Sequence, residues 1–366
     1  MTDNHAVVVE LMERLAPSRD DVGDERTWCF SQRMEAVYQQ QMGRFDENAS
    51  ASEWRRRYSA ENMPPPDDTR DCAEVAAQVA FYFPTHFFKF QKAALQQLLQ
   101  CHVEQTPLNP YPFGAQRITL IDVGAGVGTA CLSILDLLAT WMDVLADHGY
   151  RQLGVSVKVV SVDPDRNKET PRRDMLAALS SLLDTHSLVI ESPTDVVSLY
   201  PEPECIDEIV NSQLGGTLGI CCISNFLSSR RFLGGAQDGS EQSDCVSDAP
   251  AMSQSKSDGQ QVETSAFLAR AARYAEASRS LLANLSCRRK LLLASDVDEQ
   301  GRVLRAFARS LGPSLDQLVR RNRVRFISPE GCYWALRDNN VQSADLSCAV
   351  NFWSLAHWTA GADMPV

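Results

Sequence analysis

Between Ile121 and Ala130 the chain reads Ile-Asp-Val-Gly-Ala-Gly-Val-Gly-Thr-Ala. Three glycines alternate with small residues, and a carboxylate, Asp122, stands two positions before the first. An apolar run, Ile118 to Val123, precedes them, and a long helical pattern, Ala130 to Leu145, follows. A glycine motif gains meaning in that strand-to-helix context. Gly124 permits a tight turn. Gly126 and Gly128 let the backbone approach a ligand where a Cβ would collide. The helix start adds N–H donors and positive potential. A dinucleotide fingerprint spaces its glycines as G-x-G-x-x-G. Here the third glycine comes one residue early and Thr129 takes the dinucleotide position, which disfavours a nicotinamide oxidoreductase. A second carboxylate, Asp163, ends the β-branched run Val155 to Val162. Such a group can accept from two hydroxyls at once. It lies 39 residues after Gly124, and the excess over a shorter unit falls in the long helix and in His148-Gly149-Tyr150-Arg151.

These residues need a frame. Residues 117–366 alternate short apolar runs with helical stretches. Strands are expected at 118–123, 155–162, 188–190, 219–224 and 290–294, and helices at 130–145, 173–183, from 206, at 265–285 and at 303–311. Such alternation predicts an α/β fold, a Rossmann-like, doubly wound, mostly parallel sheet covered on both faces. The last runs, Val324 to Ile327, Tyr333 to Leu336 and Ala349 to Leu355, follow one another without a helix. They are expected to close the sheet as an antiparallel hairpin.

Residues 1–110 read as an N-terminal helical cap, and 111–366 as the ligand-binding domain. The cap's helical candidates carry Val8, Leu11 and Leu15; Trp28 to Met42; and Phe87, Phe90, Ala94, Leu95 and Leu98 on one face. The prolines of Met63 to Asp68 break that pattern, and Phe81-Tyr82-Phe83-Pro84 is expected to interrupt it again. The aromatics from Tyr82 to Phe88 are expected mainly as packing. Residues 234–262, rich in Gly, Ser, Gln and Asp, offer too little apolar surface to offset ordering, and are expected to be a disordered insertion.

The 366 residues allow two domains, or one with extensions, and 44% apolar residues suffice for a core. A net charge of −12 excludes a generic polyanion binder. Between Arg270 and Arg325, however, thirteen basic residues face five acids, and Arg302, Arg305 and Arg309 share a helix face. A phosphate-bearing partner is conceivable there; a solvated face paired with the acidic N-terminal region is the preferred reading. Nucleic acid is thus a possible partner but not the favoured one. The eleven cysteines are scattered, with no C-x-x-C, so no metal is expected and the thiols read as buried in a reducing, cytoplasmic compartment. No run of eighteen apolar residues and no targeting segment is apparent, so no membrane partner is expected.

The Asp122–Gly128 motif, with Asp163 ending the second strand, resembles the class I S-adenosylmethionine-dependent methyltransferases over residues 117–355. The resemblance implies S-adenosylmethionine as cofactor. It implies that the turn of Gly124, Gly126 and Gly128 passes under the methionine end, that Asp122 fixes the amino group, and that Asp163 takes the ribose hydroxyls. It also offers Asp195 for the adenine amino group, with Glu191 as competitor, and Asn225 at the reaction centre, where a turn-capping Asn is an equal alternative. The D/N-P-P-Y/F motif of many base N-methylases is absent. A thinner similarity links the chain to methyltransferase-like proteins of the mitochondrial small ribosomal subunit. Their clustered cysteines are missing here, so that function is not carried over. The implied activity is methyl transfer to an unidentified small molecule, protein or RNA. The alternative is a degenerate fold serving as a binding or scaffold protein. His86, His148, His186 and His357 pair with no obvious acid in the sequence, so no catalytic base is assigned.

Overall fold

The computed structural model describes residues 4–18, 26–46, 72–102, 107–151, 154–183, 187–197, 203–212, 215–224, 256–296, 301–327 and 347–360. In chain order it holds α1 (Asn4–Leu15), β1 (Thr27–Trp28), α2 (Gln32–Asp46), α3 (Cys72–His102), β2 (Arg117–Val123) and α4 (Thr129–Asp147). Then follow β3 (Val155–Val162), α5 (Glu169–Ser181), β4 (Leu188–Ile190), β5 (Thr194–Val196), α6 (Pro203–Ser212) and β6 (Leu218–Ser224). The chain ends with α7 (Lys256–Asn284), β7 (Arg289–Asp296), α8 (Arg302–Leu311), β8 (Asp316–Ile327) and β9 (Ser347–Ala360).

The strands form one open sheet in the order β1-β8-β9-β7-β6-β2-β3-β4, and β5 also pairs with β3. Every pairing is parallel except the two made by β9, which runs antiparallel between β7 and β8. The mostly parallel sheet and its antiparallel hairpin are therefore present. The hairpin is longer than the apolar runs suggested, pairing from Asp316 with Trp358 to Ile327 with Ser347. Tyr333 to Leu336 lies outside the described residues.

Side chains alternate across a strand, so each parallel strand feeds two cores. Leu120, Val157, Ile220 and Leu291 face one side, where α1 to α5 pack. Ile121, Val160, Cys221 and Leu292 face the other, with α6, α7 and α8. Burying each such side chain stabilises by roughly 1.5–3 kcal/mol. A slip of one residue would exchange both cores, so the register is strongly specified.

The first hundred residues depart from the sequence reading in several ways. Trp28 belongs to no helix: β1 adds Thr27 and Trp28 parallel to Arg325 and Phe326 of β8, at the sheet's edge. Val7, not Val8, is the buried partner of Leu11 and Leu15. Pro84 does not interrupt the chain but sits inside the continuous α3. An interior proline costs about 3 kcal/mol. Burial of Phe83, Phe87, Phe88 and Phe90 offsets that several times over. Phe30 joins these rings, 4.9 Å from Phe87 and 5.0 Å from Phe88 between centroids. Leu11, Tyr38 and Phe83 share one continuous core with Leu120 and Leu291. A buried carboxylate, Asp136 of α4, ties the layers together by accepting from Ser31 and, at 2.9 Å, from Gln91.

Helix α4 is long and apolar enough by composition to cross a membrane. It is instead buried almost all round within the core. Residues 256–262, expected in the insertion, form the first turns of α7. Residues 234–255 lie outside the described residues.

Candidate functional site

The chain runs from β2 to β3 on one side and returns to β6 on the other. The carboxyl ends of strands at such a switch point are where open α/β sheets bind ligands. The glycine turn sits there. The N–H groups of Gly124 and Ala125 donate to the Val162 carbonyl at 2.9 and 3.1 Å, fastening the turn to the end of β3. Gly124, Gly126 and Gly128 all have positive φ, at 67°, 54° and 84°, which is why only glycine serves. The two later glycines differ in surroundings. A Cβ at Gly126 would meet nothing within 4 Å, so a ligand has room to approach. A Cβ at Gly128 would come 3.1 Å from the Arg172 Cγ, so that face is filled by the protein itself.

Asp122, in β2, is fully buried. Its Oδ2 accepts from the Cys131 N–H at 3.0 Å, in the first turn of α4. Its Oδ1 is buried with no hydrogen-bond partner among the described residues. Burial pushes its carboxyl up to about 7, against the Cys131 N–H and the nearby Arg172 charge, which favour ionisation. A cationic ligand group at Oδ1 would reverse that penalty. Asp163, directly after β3, is 7% exposed. Its Oδ2 accepts from the Gly126 N–H at 2.6 Å and its Oδ1 from the Asp165 N–H at 2.8 Å. Each oxygen keeps further acceptor capacity, which is the requirement for a pair of hydroxyls. The structure thus brings Asp122, the three glycines and Asp163 together.

Asp195 follows β4, where the sequence reading puts it. It lies in β5, an element that reading missed, and its Oδ1 accepts from Arg172 Nε at 2.9 Å while its Oδ2 accepts from Arg173 Nε at 2.7 Å. Arg172 also donates to the Gly126 carbonyl, bridging the glycine turn to β5. It is buried, and nothing in its sequence context, Pro-Arg-Arg-Asp on an amphipathic helix, marks it out. Asn225 lies outside the described residues.

Toward β7 the edge carries a second charged group that sequence reasoning missed. Lys89 of α3 and Asp296, the last residue of β7, are both fully buried. Burial pushes the Lys89 ammonium down, and the Asp296 carboxylate opposes that shift. Burial, and then the Lys89 charge, push His86 of the same helix well below its usual value. The signal was a lysine between Phe88 and Phe90 in an otherwise apolar face. Of the other histidines, His148 does meet an acid, 2.8 Å from Glu10 across 138 residues of sequence. His357 is buried, and His186 lies outside the described residues.

The thiols of Cys131, Cys221, Cys222 and Cys287 are buried and pushed up by that burial. Among the described residues no three His, Cys, Asp or Glu side chains form a metal-ligand set.

No model of a protein family matches the chain, and no curated protein matches it either. Among solved structures it is similar to an S-adenosylmethionine-dependent methyltransferase from Agrobacterium tumefaciens, with 10% identity and a TM-score of 0.31. That match covers 76% of this chain and 63% of the Agrobacterium chain, so just under two thirds of that protein's length is spanned. It is also similar to the catalytic domain of hMettl16 in complex with the MAT2A 3′UTR hairpin 6, with 11% identity and a TM-score of 0.30 over 100% of this chain and 95% of that one. A third similar structure, of a putative RNA methyltransferase from Pyrococcus horikoshii, has 10% identity and a TM-score of 0.25 over 74% of this chain and 84% of that one. The likeness is distant in all three.

Proposed function

We propose that the chain is an S-adenosylmethionine-dependent methyltransferase acting on an acceptor still to be identified. The observation that carries the reading is the Asp122 Oδ1, buried without a partner among the described residues, beside an open glycine turn at the sheet's switch point. Asp122 suits the cofactor's ammonium, Gly126 leaves room for its chain, and Asp163 suits the ribose hydroxyls. When bound, the cofactor supplies an activated methyl group. The chain's own task is then to hold an acceptor in line with it, and placement of that kind contributes about 7–11 kcal/mol. A cytoplasmic, reducing setting suits the free thiols of Cys29, Cys101, Cys131, Cys221, Cys222, Cys287 and Cys348.

One observation favours a second reading. Arg172 closes the gap between Gly126 and Asp195, and an adenine amino group at Asp195 would have to displace it. A degenerate fold serving as a scaffold needs no such displacement.

Calorimetric titration of the full chain with S-adenosylmethionine and S-adenosylhomocysteine, with NAD as control, separates the readings. Binding of the first two alone is expected. Asp163→Ala should weaken both at least tenfold, the scale of lost hydrogen bonds to a charged group. Absence of binding to either would replace the enzyme reading with the scaffold.

A further inference from the structure

Past the end of β7, the β8–β9 hairpin continues with only the two-residue β1 beside it, paired to Arg325 and Phe326. Asp296 pairs with Trp353, and Trp353 pairs with Arg321. Residues 322–327 of β8 and 347–352 of β9 therefore project beyond the sheet edge that carries the glycine turn and Asp163. One face of this arm is core. Val324, Phe326 and Phe352 are buried there, and the Phe326 ring lies 5.2 Å from that of Phe88. By alternation Arg321, Arg323 and Arg325 share the opposite face, with Trp353 and Asn351 directly across from two of them. Arg321, Arg323 and Asn351 are exposed.

Helix α8 meets this face at its N-terminal end. The Arg305 guanidinium carbon lies 4.7 Å from the centre of the Trp353 ring. Arg302 and Arg309, both exposed, fall on the same side of α8 as Arg305. Among the described N-terminal acids, Glu10 meets Arg14 and His148, and Glu13 meets Arg26 at 2.6 Å. On a chain of net charge −12, basic side chains are gathered at the same sheet edge as the candidate site.

We infer that this arginine arm is a docking surface for a single-stranded nucleic acid, whose phosphates lie along Arg321, Arg323 and Arg325 toward the Arg305–Trp353 pair. Alternate residues of a strand are about 6.8 Å apart, comparable to neighbouring phosphates on an extended strand. Guanidinium groups take phosphate oxygens in pairs, and an aromatic–arginine stack is a platform for a base. An anionic membrane is the poorer partner, because binding in the interface also needs apolar side chains to insert, and this face offers one tryptophan. The inference deepens the methyltransferase reading, resting on it for the claim that the docked strand is the acceptor.

The test is fluorescence anisotropy of the full chain with a labelled oligouridine of about twenty nucleotides, between about 50 and 200 mM salt. The wild type should bind, with affinity falling steeply with salt. Replacing the three arginines, Arg321→Gln, Arg323→Gln and Arg325→Gln, should weaken binding at least tenfold. It should also reduce the log–log salt slope by about 2, at about 0.7 per phosphate contact. Arg321→Gln alone, at an exposed position, should weaken it about threefold and guards against misfolding of the triple variant. The control set Arg117→Gln, Arg151→Gln and Arg288→Gln removes equal charge from exposed positions at the opposite sheet edge and should change affinity less than about twofold. Three results would overturn the inference: no binding by wild type, equal loss in both variant sets, or tighter binding to phosphatidylserine vesicles than to RNA. The calorimetric titration keeps the two readings apart. Cofactor binding without RNA binding sinks the arm alone, whereas RNA binding without cofactor binding sinks the enzyme and leaves the arm.

Discussion

Asp122 couples the stability of the ligand-free protein to pH. Its carboxyl is raised from 3.8 to about 7, and the main cause is burial, with Oδ1 unpartnered among the described residues. Because the folded state holds the proton more tightly than the unfolded chain, this contribution is complete below 3.8 and is lost as pH rises through about 7. The full displacement corresponds to roughly 4 kcal/mol, and the part falling between about pH 5 and 9 to roughly 3 kcal/mol. Asp122→Asn removes the ionisation. Its new amide donors, buried at Oδ1, add a cost of about 1–3 kcal/mol that does not vary with pH. The assay is urea unfolding of both proteins from about pH 5 to 9. The stability of Asp122→Asn relative to wild type should climb by roughly 3 kcal/mol across that window, whatever its starting value. Taking the difference cancels other groups that titrate, such as His102, which burial pushes down to about 4. A difference independent of pH would refute the reasoning, because Asp122 would then be ionised without penalty and could offer a cation nothing that water does not.

Two further outcomes follow from the same geometry. Arg172→Met should destabilise by roughly 3 kcal/mol in urea, because Asp195, 5% exposed, keeps only the more solvated Arg173. Adding Asp195→Asn should restore part of the loss, and strictly additive effects would show that the two side chains are not coupled. Gly301→Ala should lower the thermal midpoint by several degrees, since Gly301 has φ of +59° and an added Cβ would come 2.5 Å from the Trp353 ring. It should also weaken oligouridine binding by displacing Trp353, and an unchanged midpoint would show that α8 does not bear on that ring.

What the sequence determined by itself is local. Glycine spacing between an apolar run and a helical pattern located the turn, because only glycine adopts the three positive-φ positions. Short runs rich in Val, Ile or Leu located β2, β3 and β7, because strands covered by helices on both faces are dominated by apolar side chains. The placement of Asp122 and Asp163 at adjacent strand ends followed from those two facts. Tertiary structure decided everything that depends on residues distant in sequence. Pro84 stays within α3 because aromatic packing outweighs its local cost, a balance invisible in a window of ten residues. Trp28 pairs with Phe326 and Glu10 with His148 only once the chain has folded back on itself. Arg172 meets Asp195 across 23 residues of sequence, because a buried carboxylate is held by a cation that can follow it out of water. The arginines of β8 are a charge run in sequence. They become a one-sided row at the sheet edge that carries the candidate site because β9 fixes their register and α3 buries the alternate residues.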